Sequence, residues 1–260
     1  MDVSGVRAFV FSGAGTTRAV AERFACGCGV PHEVVDVTPQ GAQVPMFEPG
    51  DLAVFAVPSY GGRVPAPMVE RISRCVGGDT PAVLLVTYGN RAVDDTFLEL
   101  ADLVRKRGFV PVAAGAVVAH HSLMVNVAEG RPDEKDLGVV DSLAHEVMAK
   151  LFAAADVRAA ELADVPGNRP YRDFGGVPFR PEADPAACTS CGTCAAQCPT
   201  GAIVAANPRE TNAELCVSCM RCVAACPAGA RKIGGGAALA AARAAFAVRC
   251  AARQESYLLL

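Results

Sequence analysis

A run of four cysteines closed by proline, C-x-x-C-x-x-C-x-x-x-C-P, occurs twice near the end of this 260-residue chain. Cys188, Cys191, Cys194, Cys198 and Pro199 form the first run; Cys216, Cys219, Cys222, Cys226 and Pro227 form the second. Three thiolates spaced in this way hold three corners of one cubane. The chain then leaves, and the fourth cysteine reaches a second centre, which is the spacing of bacterial-type [4Fe–4S] sites. The predicted ligand sets are therefore interleaved: Cys188, Cys191, Cys194 and Cys226 for the first cluster, and Cys216, Cys219, Cys222 and Cys198 for the second. Because each half completes the other's cluster, neither half is expected to fold without metal. Zinc ribbons use two separated C-x-x-C pairs around one tetrahedral ion, and two runs of four do not fit that plan. The neighbours Ala195, Ala196, Ile203, Val217, Met220, Val223 and Ala224 exclude water and let backbone N–H groups approach the sulfurs. Two such similar shells predict two similar, low potentials.

Eight of the twelve cysteines lie in this repeat. Clustering of that kind signals metal where thiols stay reduced. The expected setting is cytoplasmic, because Met1 leads straight into a strand-like stretch rather than a basic leader, and a secreted disulfide framework is not expected. The longest apolar run, residues 109–119, falls well short of the ~18 residues that span a membrane, so no membrane span is expected. A formal charge of −3 offers no basic footprint for nucleic acid. The other cysteines, Cys26, Cys28, Cys75 and Cys250, read as core or surface thiols.

The first 155 residues alternate strand and helix. Strands are predicted over residues 6–11, 32–37, 52–57, 82–87 and 109–119, and helices over 16–26, 66–75, 92–107 and 133–155. The last helix has Asp133 as its N-cap and Leu137, Val140, Ala144, Val147 and Leu151 as its buried stripe. Continuous apolar strands separated by helices imply a parallel sheet covered on both faces, an open doubly wound α/β domain. In such sheets ligands bind beyond the carboxyl ends of the strands, which here selects the loops 12–17, 58–64 and 88–95. Residues 156–187 carry too many prolines and glycines for long elements and read as a packed linker anchored by Tyr171, Phe174 and Phe179. The cysteine module spans 188–231. The Ala-rich tail, 232–260, reads as a helix docking through Leu239, Phe246 and Cys250.

The loop Ser12-Gly13-Ala14-Gly15-Thr16-Thr17 is a short anion cradle at a helix N-terminus, suited to a monophosphate. It has neither the Gly-Lys-Ser/Thr of a P-loop nor the G-x-G-x-x-G spacing. The loops Pro58-Ser59-Tyr60-Gly61-Gly62 and Tyr88-Gly89-Asn90 each set an aromatic ring beside glycine and polar groups, as a planar ring sandwich requires. Asp94 and Asp95 follow, and charge near such a ring would disfavour its anionic reduced form. His121, with His120 beside it, ends the fifth strand and is the candidate proton donor; the bland reading is a strand-end histidine bonded to backbone. The stretches FSGAGTT, PSYGGRVP and TYGNRAVDD resemble the three FMN loops of flavodoxins. Together with PGNRPYRDFGGVPFRP and the cysteine module, they resemble the prokaryotic flavodoxin–ferredoxin fusion proteins. That resemblance implies a five-stranded sheet in the order 2-1-3-4-5, a small α+β ferredoxin-like domain, FMN phosphate on residues 12–17, and the flavin between the Tyr60 and Tyr88 loops. Ala14 departs from the family's hydroxyl-bearing pattern and removes one phosphate contact.

The expected function is electron transfer between the two clusters and FMN, with a ferredoxin or an oxidoreductase as redox partner; a homodimer is compatible with the sequence. Two other functions fit the same residues. One is a flavin-dependent reductase of a small molecule, fed by the clusters. The other is a cluster-based redox sensor. With cofactors loaded, the chain's charge falls to about −9, which suits partners with basic docking faces.

Overall fold

The computed structural model describes residues 1–260. Strands β1 (Gly5–Val10), β2 (His32–Asp36), β3 (Asp51–Pro58), β4 (Thr80–Tyr88) and β5 (Phe109–Val118) pair in parallel in the order β2-β1-β3-β4-β5. This is the flavodoxin-like doubly wound order. β4 and β5 are buried along their whole length, as their unbroken apolar runs require when both faces are covered. On one face, Phe9, Phe55 and Phe109 pack against α2 (Ala66–Ile72) and α3 (Thr96–Lys106). On the other, Leu52, Val54 and Leu85 pack against α1 (Thr16–Gly27) and α4 (Glu134–Ala153). Asp133 caps α4 as expected. Its carboxylate accepts the N–H groups of Lys135 and Asp136, while Asp136 accepts that of Asp133, a reciprocal capping box.

Four elements differ from the sequence reading, the first being α2, which ends at Ile72 rather than at residue 75. Helix α3 starts at Thr96 rather than at residue 92, because Asn90 and Asp94 take left-handed backbone angles (φ 58° and 48°) that keep this stretch a loop. The linker ends in a strand, β6 (Pro181–Ala183), which pairs antiparallel with β7 (Arg231–Ile233) and so closes the cysteine module. The tail does not stop at its helix, α7 (Gly236–Arg249): the last residues return as β8 (Tyr257–Leu259), antiparallel to β5, and make the sheet six-stranded. This strand blunts an edge of unpaired N–H and C=O groups that β5 would otherwise present.

Within the cysteine module the repeat is also a repeat of backbone. Cys216 follows Cys188 by 28 residues, and at that same offset Ser190 and Ser218, Gly192 and Met220, and Gly201 and Gly229 all have positive φ. Each half carries one short helix, α5 (Thr193–Ala196) and α6 (Arg221–Ala224). Leu239 and Cys250 at the two ends of α7 pack with Met220 of the module and with Leu123 and Met124 of the main domain.

A buried ion pair holds the tail. The Arg131 guanidinium donates to Asp136, whose Oδ1 also accepts from Ser256 Oγ at 2.6 Å, and Arg131 reaches the Gln254 carbonyl at 3.2 Å. Burial pushes the Asp136 carboxyl up, but the Arg131 and Ser256 hydrogen bonds outweigh it and hold the group at about 2. A carboxyl depressed in the fold contributes stability above its ordinary pKa near 4 and loses that contribution as pH falls toward 2. Asp136→Asn leaves the buried Arg131 with only the more exposed Asp133, 3.6 Å away, as counter-ion and is expected to cost about 3 kcal/mol at neutral pH. In hydrogen-exchange measurements the β8 amides should lose protection in the variant at pH 7, and in the unaltered chain only on acidification below about pH 4.

Candidate cofactor sites

The two interleaved quartets appear as two separate cavities. One is lined by Cys188, Cys191, Cys194 and Cys226, the other by Cys198, Cys216, Cys219 and Cys222. No three His, Cys, Asp or Glu side chains converge closely enough to hold a single metal ion. Tetrahedral zinc would need its thiolates within about 4 Å of one another, so sulfurs spread around a cavity suit a polynuclear centre better. Between the cavities, Cys194, Ile203 and Cys222 pack together.

The quartets sit in unlike surroundings. Cys191 is exposed, and the Thr193 hydroxyl lowers its thiol pKa. At Cys226 the backbone N–H groups of Arg231 and Ala230 outweigh burial, and the pKa is also lowered. In the other quartet burial dominates: it pushes Cys219 up to about 12 and Cys222 up to about 11, the latter against the pull of Arg231. Buried thiols of that kind are inert unless a metal takes the negative charge.

The third site is a cleft of about 250 Å³ at the carboxyl ends of β1, β3 and β4. The three expected loops meet there: Gly13, Ala14, Thr16 and Thr17 from the first, Pro58, Ser59, Tyr60, Gly61 and Gly62 from the second, and Tyr88 and Gly89 from the third. The backbone N–H groups of residues 13–17 have no acceptor within the protein. Five such donors at a helix N-terminus, where Gly15 adopts φ 99°, form a concave anion seat.

Several expected contacts are placed differently. Ser12 is buried; its hydroxyl accepts the Arg18 N–H and its own N–H donates to Thr38 Oγ1, so it caps the helix instead of facing the cleft. Gly15 shapes the turn without lining the space. Asn90 lies outside the cleft altogether. Its amide donates to the Cys250 and Ala252 carbonyls at 2.9 and 3.0 Å and accepts from Gln254 N–H at 2.9 Å, so it ties down the tail. The Tyr88 hydroxyl donates to the Glu255 carbonyl at 2.9 Å, which leaves only part of its ring facing the cleft. Asp94 pairs with Arg91 and with Arg172, and Asp95 accepts from the Asn168 and Arg172 N–H groups; neither lines the cleft.

His121 does line the cleft, but as a neutral ring. Its Nδ1 accepts the N–H groups of Leu123 and Met124 at 3.3 and 3.2 Å, so its proton sits on Nε2. Burial, reinforced by His120 and Arg91, lowers its pKa to about 4. His121 is therefore a hydrogen-bond donor and not a charged acid at neutral pH. His120 is exposed and its ring bonds the Val125 carbonyl.

The sequence reading missed the walls that come from far along the chain. Phe174 and Val177 of the linker, Val217 and Ser218 of the cysteine module and Phe246 of α7 all line the cleft. Gly61 is pressed so tightly by the Phe174 ring that a Cβ there would lie 2.1 Å from it. The module itself docks on the 12–17 loop and the segments beside it. Arg221 donates to the Ser12 carbonyl at 3.1 Å and to Asp36 at 2.7 Å, Gln40 N–H donates to the Cys198 carbonyl at 3.2 Å, and the buried Arg71 reaches the Pro199 carbonyl at 3.0 Å. Val217 lines both the cleft and the Cys198–Cys216–Cys219–Cys222 cavity, so one residue forms the wall between them.

The 4Fe-4S dicluster domain family matches residues 187–231. Among solved structures, a flavodoxin from the domain Archaea is 15% identical over 57% of this chain and 98% of its own, with a TM-score of 0.43. A flavodoxin of Streptococcus pneumoniae TIGR4 is 17% identical over 56% and 99%, TM-score 0.43, and flavodoxin 1 of Bacillus cereus is 14% identical over 56% and 98%, TM-score 0.42. No curated protein matches the chain. By its strand order and this match, the chain joins a flavodoxin-like sheet to a 4Fe-4S dicluster module. No helix is long and apolar enough to cross a membrane.

Gly13 carries the contact between the two parts: a Cβ there would lie 1.9 Å from the Cys219 carbonyl oxygen and 2.8 Å from the Tyr60 hydroxyl. Gly13→Ala is expected to push the Cys219 backbone off the loop, at a cost of about 1–3 kcal/mol in overall stability. Faster hydrogen exchange confined to residues 217–221 and 13–17 would report it; unchanged protection would mean that the two surfaces do not bear on each other.

Proposed function

We propose that this chain is an electron-transfer iron–sulfur flavoprotein, with two [4Fe–4S] clusters on the interleaved quartets and FMN in the cleft. The observation that carries this reading is the shared Val217 wall, which puts the inner cysteine cavity directly behind the cleft. FMN supplies one- or two-electron chemistry beside one-electron clusters. The chain's own residues place and insulate it. The free N–H groups of residues 13–17 and the Thr16 hydroxyl receive the phosphate, while Tyr60, Gly61, Gly62 and Gly89 border the ring space. Phe174 and Phe246 narrow access of water to the cleft. The outer quartet, with Cys191 exposed, is where a ferredoxin or oxidoreductase would exchange electrons, and the packed Cys194–Ile203–Cys222 contact leads inward.

Anaerobic purification should yield about eight irons and one FMN per chain. A colourless, iron-free and flavin-free protein after reconstitution would overturn the proposal. Ala14→Ser restores a hydroxyl at the cradle and is expected to tighten FMN binding about tenfold, as one added hydrogen bond to a charged group would, measured by fluorescence titration.

A reductase reading is favoured by one feature, the extension of the cleft past the three loops to His121, Leu123 and Met124. There the neutral Nε2–H of His121 would orient an acceptor rather than protonate it. Saturable turnover of one acceptor whose KM rises in His121→Ala would support this reading; exchange with many acceptors, indifferent to that change, would leave simple electron transfer.

A further inference from the structure

Only two buried side-chain polar atoms in the chain have no hydrogen-bond partner, and both are guanidinium Nε groups, those of Arg71 and Arg231. Buried donors are almost always paired, so an orphan beside a cavity points to a guest that completes it. Arg231 lines the outer cavity, that of Cys188, Cys191, Cys194 and Cys226. It is 3% exposed, and every partner of its other nitrogens is a neutral oxygen: the carbonyls of Pro181, Pro208 and Glu210 and the hydroxyl of Thr211. Its charge is therefore uncompensated by any acid.

The 28-residue repeat makes this arginine informative. At the equivalent position of the first half stands Ile203, and Ile203 lines the inner cavity as Arg231 lines the outer. The two shells, alike in their ligands and backbone, thus differ by one full charge. Nearby cations do not restore the balance. Arg221 is neutralised by Asp36, while Arg71 and Arg180 line neither cavity.

We propose that Arg231 holds the two clusters at unequal potentials, with the outer cluster the higher. This rests on the two-cluster reading given under Proposed function and replaces the expectation of two similar potentials. When a reduced partner gives up one electron, the outer cluster takes it and passes from about −2 to −3, with no bond made or broken. A cation in the cavity wall stabilises the added charge, and the exposure of Cys191 to solvent acts in the same direction. The guanidinium also donates to Pro181 and Thr211, which line the inner cavity, so both couples rise; Arg231 itself lines only the outer cavity, and on this proposal the outer couple rises more. The first electron then rests at the surface, and the inner cluster passes on its charge only when a second electron follows.

The test is a redox titration of the holoprotein, followed by electron paramagnetic resonance. The clusters of the unaltered chain should titrate in two separate one-electron steps, told apart from the flavin by their paramagnetic signals. Arg231→Ile, which copies the inner shell, should lower the upper step by about tenfold in its equilibrium constant, or 59 mV, and bring the steps together. Arg231→Lys, which keeps the charge, should leave them apart. A separation unchanged in Arg231→Ile, or a fall as large in Arg231→Lys, would overturn the proposal. If Arg231→Ile fails to retain eight irons, the remaining titrations decide: coincident steps in the unaltered chain, or collapse of their separation in Arg231→Lys, would overturn it, and steps apart in both would uphold it. Absence of iron from every preparation would defeat the two-cluster reading itself, whereas eight irons with coincident steps would defeat only this inference.

Discussion

The carbonyl of Cys219 lies against Gly13 with no room for even a methyl group between them. That one approach sets the distance between the cysteine module and the sheet, and most of the interface serves to hold it. Arg221 grips the loop from the module side, and Arg71 reaches across from the sheet side to the residue after Cys198. Arg71 spends its donors on main-chain carbonyls, while Arg221 divides its own between the Ser12 carbonyl and the side chains of Asp36 and Gln197. Contacts made from both sides, to carbonyls by Arg71 and to a carbonyl and a carboxylate by Arg221, fix the spacing of module and sheet.

Much of this was legible in the sequence because its signals are local. Cysteine spacing sorted the quartets into the same two groups of four that line the two cavities. The apolar runs of β3, β4 and β5 had no other plausible burial than a sheet covered on both faces. What escaped had no local signal. Asn90 sits in a Gly-rich loop like a ring-edge donor, yet it is claimed by carbonyls some 160 residues away in the tail. Ser12 looks like a phosphate hydroxyl and serves as a helix cap. Tyr257, Leu258 and Leu259 are too short a run to read as a strand; only the open edge of β5 makes them one. Phe174 and Val217 face the cleft because of how the linker and the module fold back, a matter of tertiary placement that no periodicity encodes.

The tail joins these parts. Leu239 and Cys250 of α7 pack between Met220 and the 123–127 segment, and Phe246 of the same helix closes the cleft beside His121 at a ring distance of 5.1 Å. Asn90, Tyr88 and the Arg131–Asp136 pair then anchor the residues beyond it. The same segment thus contacts the cysteine module, the cleft and the sheet edge. Loosening it would open the cleft to water at the point where the polar lining gives way to apolar side chains.

The two quartets differ in a way that their shared motif conceals. Sequence repeats tempt a reader to treat the halves as copies, and the backbone supports that down to matching left-handed residues at Gly192 and Met220. In the second half Met220 stands where the first half has glycine, and it accepts an unfavourable φ of 63°. Its side chain is buried among the α7 contacts, so docking supplies the burial that offsets the backbone cost. The first half, which touches neither α7 nor the cleft, has glycine there and leaves Cys191 in solvent. Divergence between the halves therefore follows the surfaces each one meets. The second half is apolar where Met220 meets α7, and it also supplies Arg231, buried in the wall of the outer cavity, whereas the first half has Ile203 at the matching position.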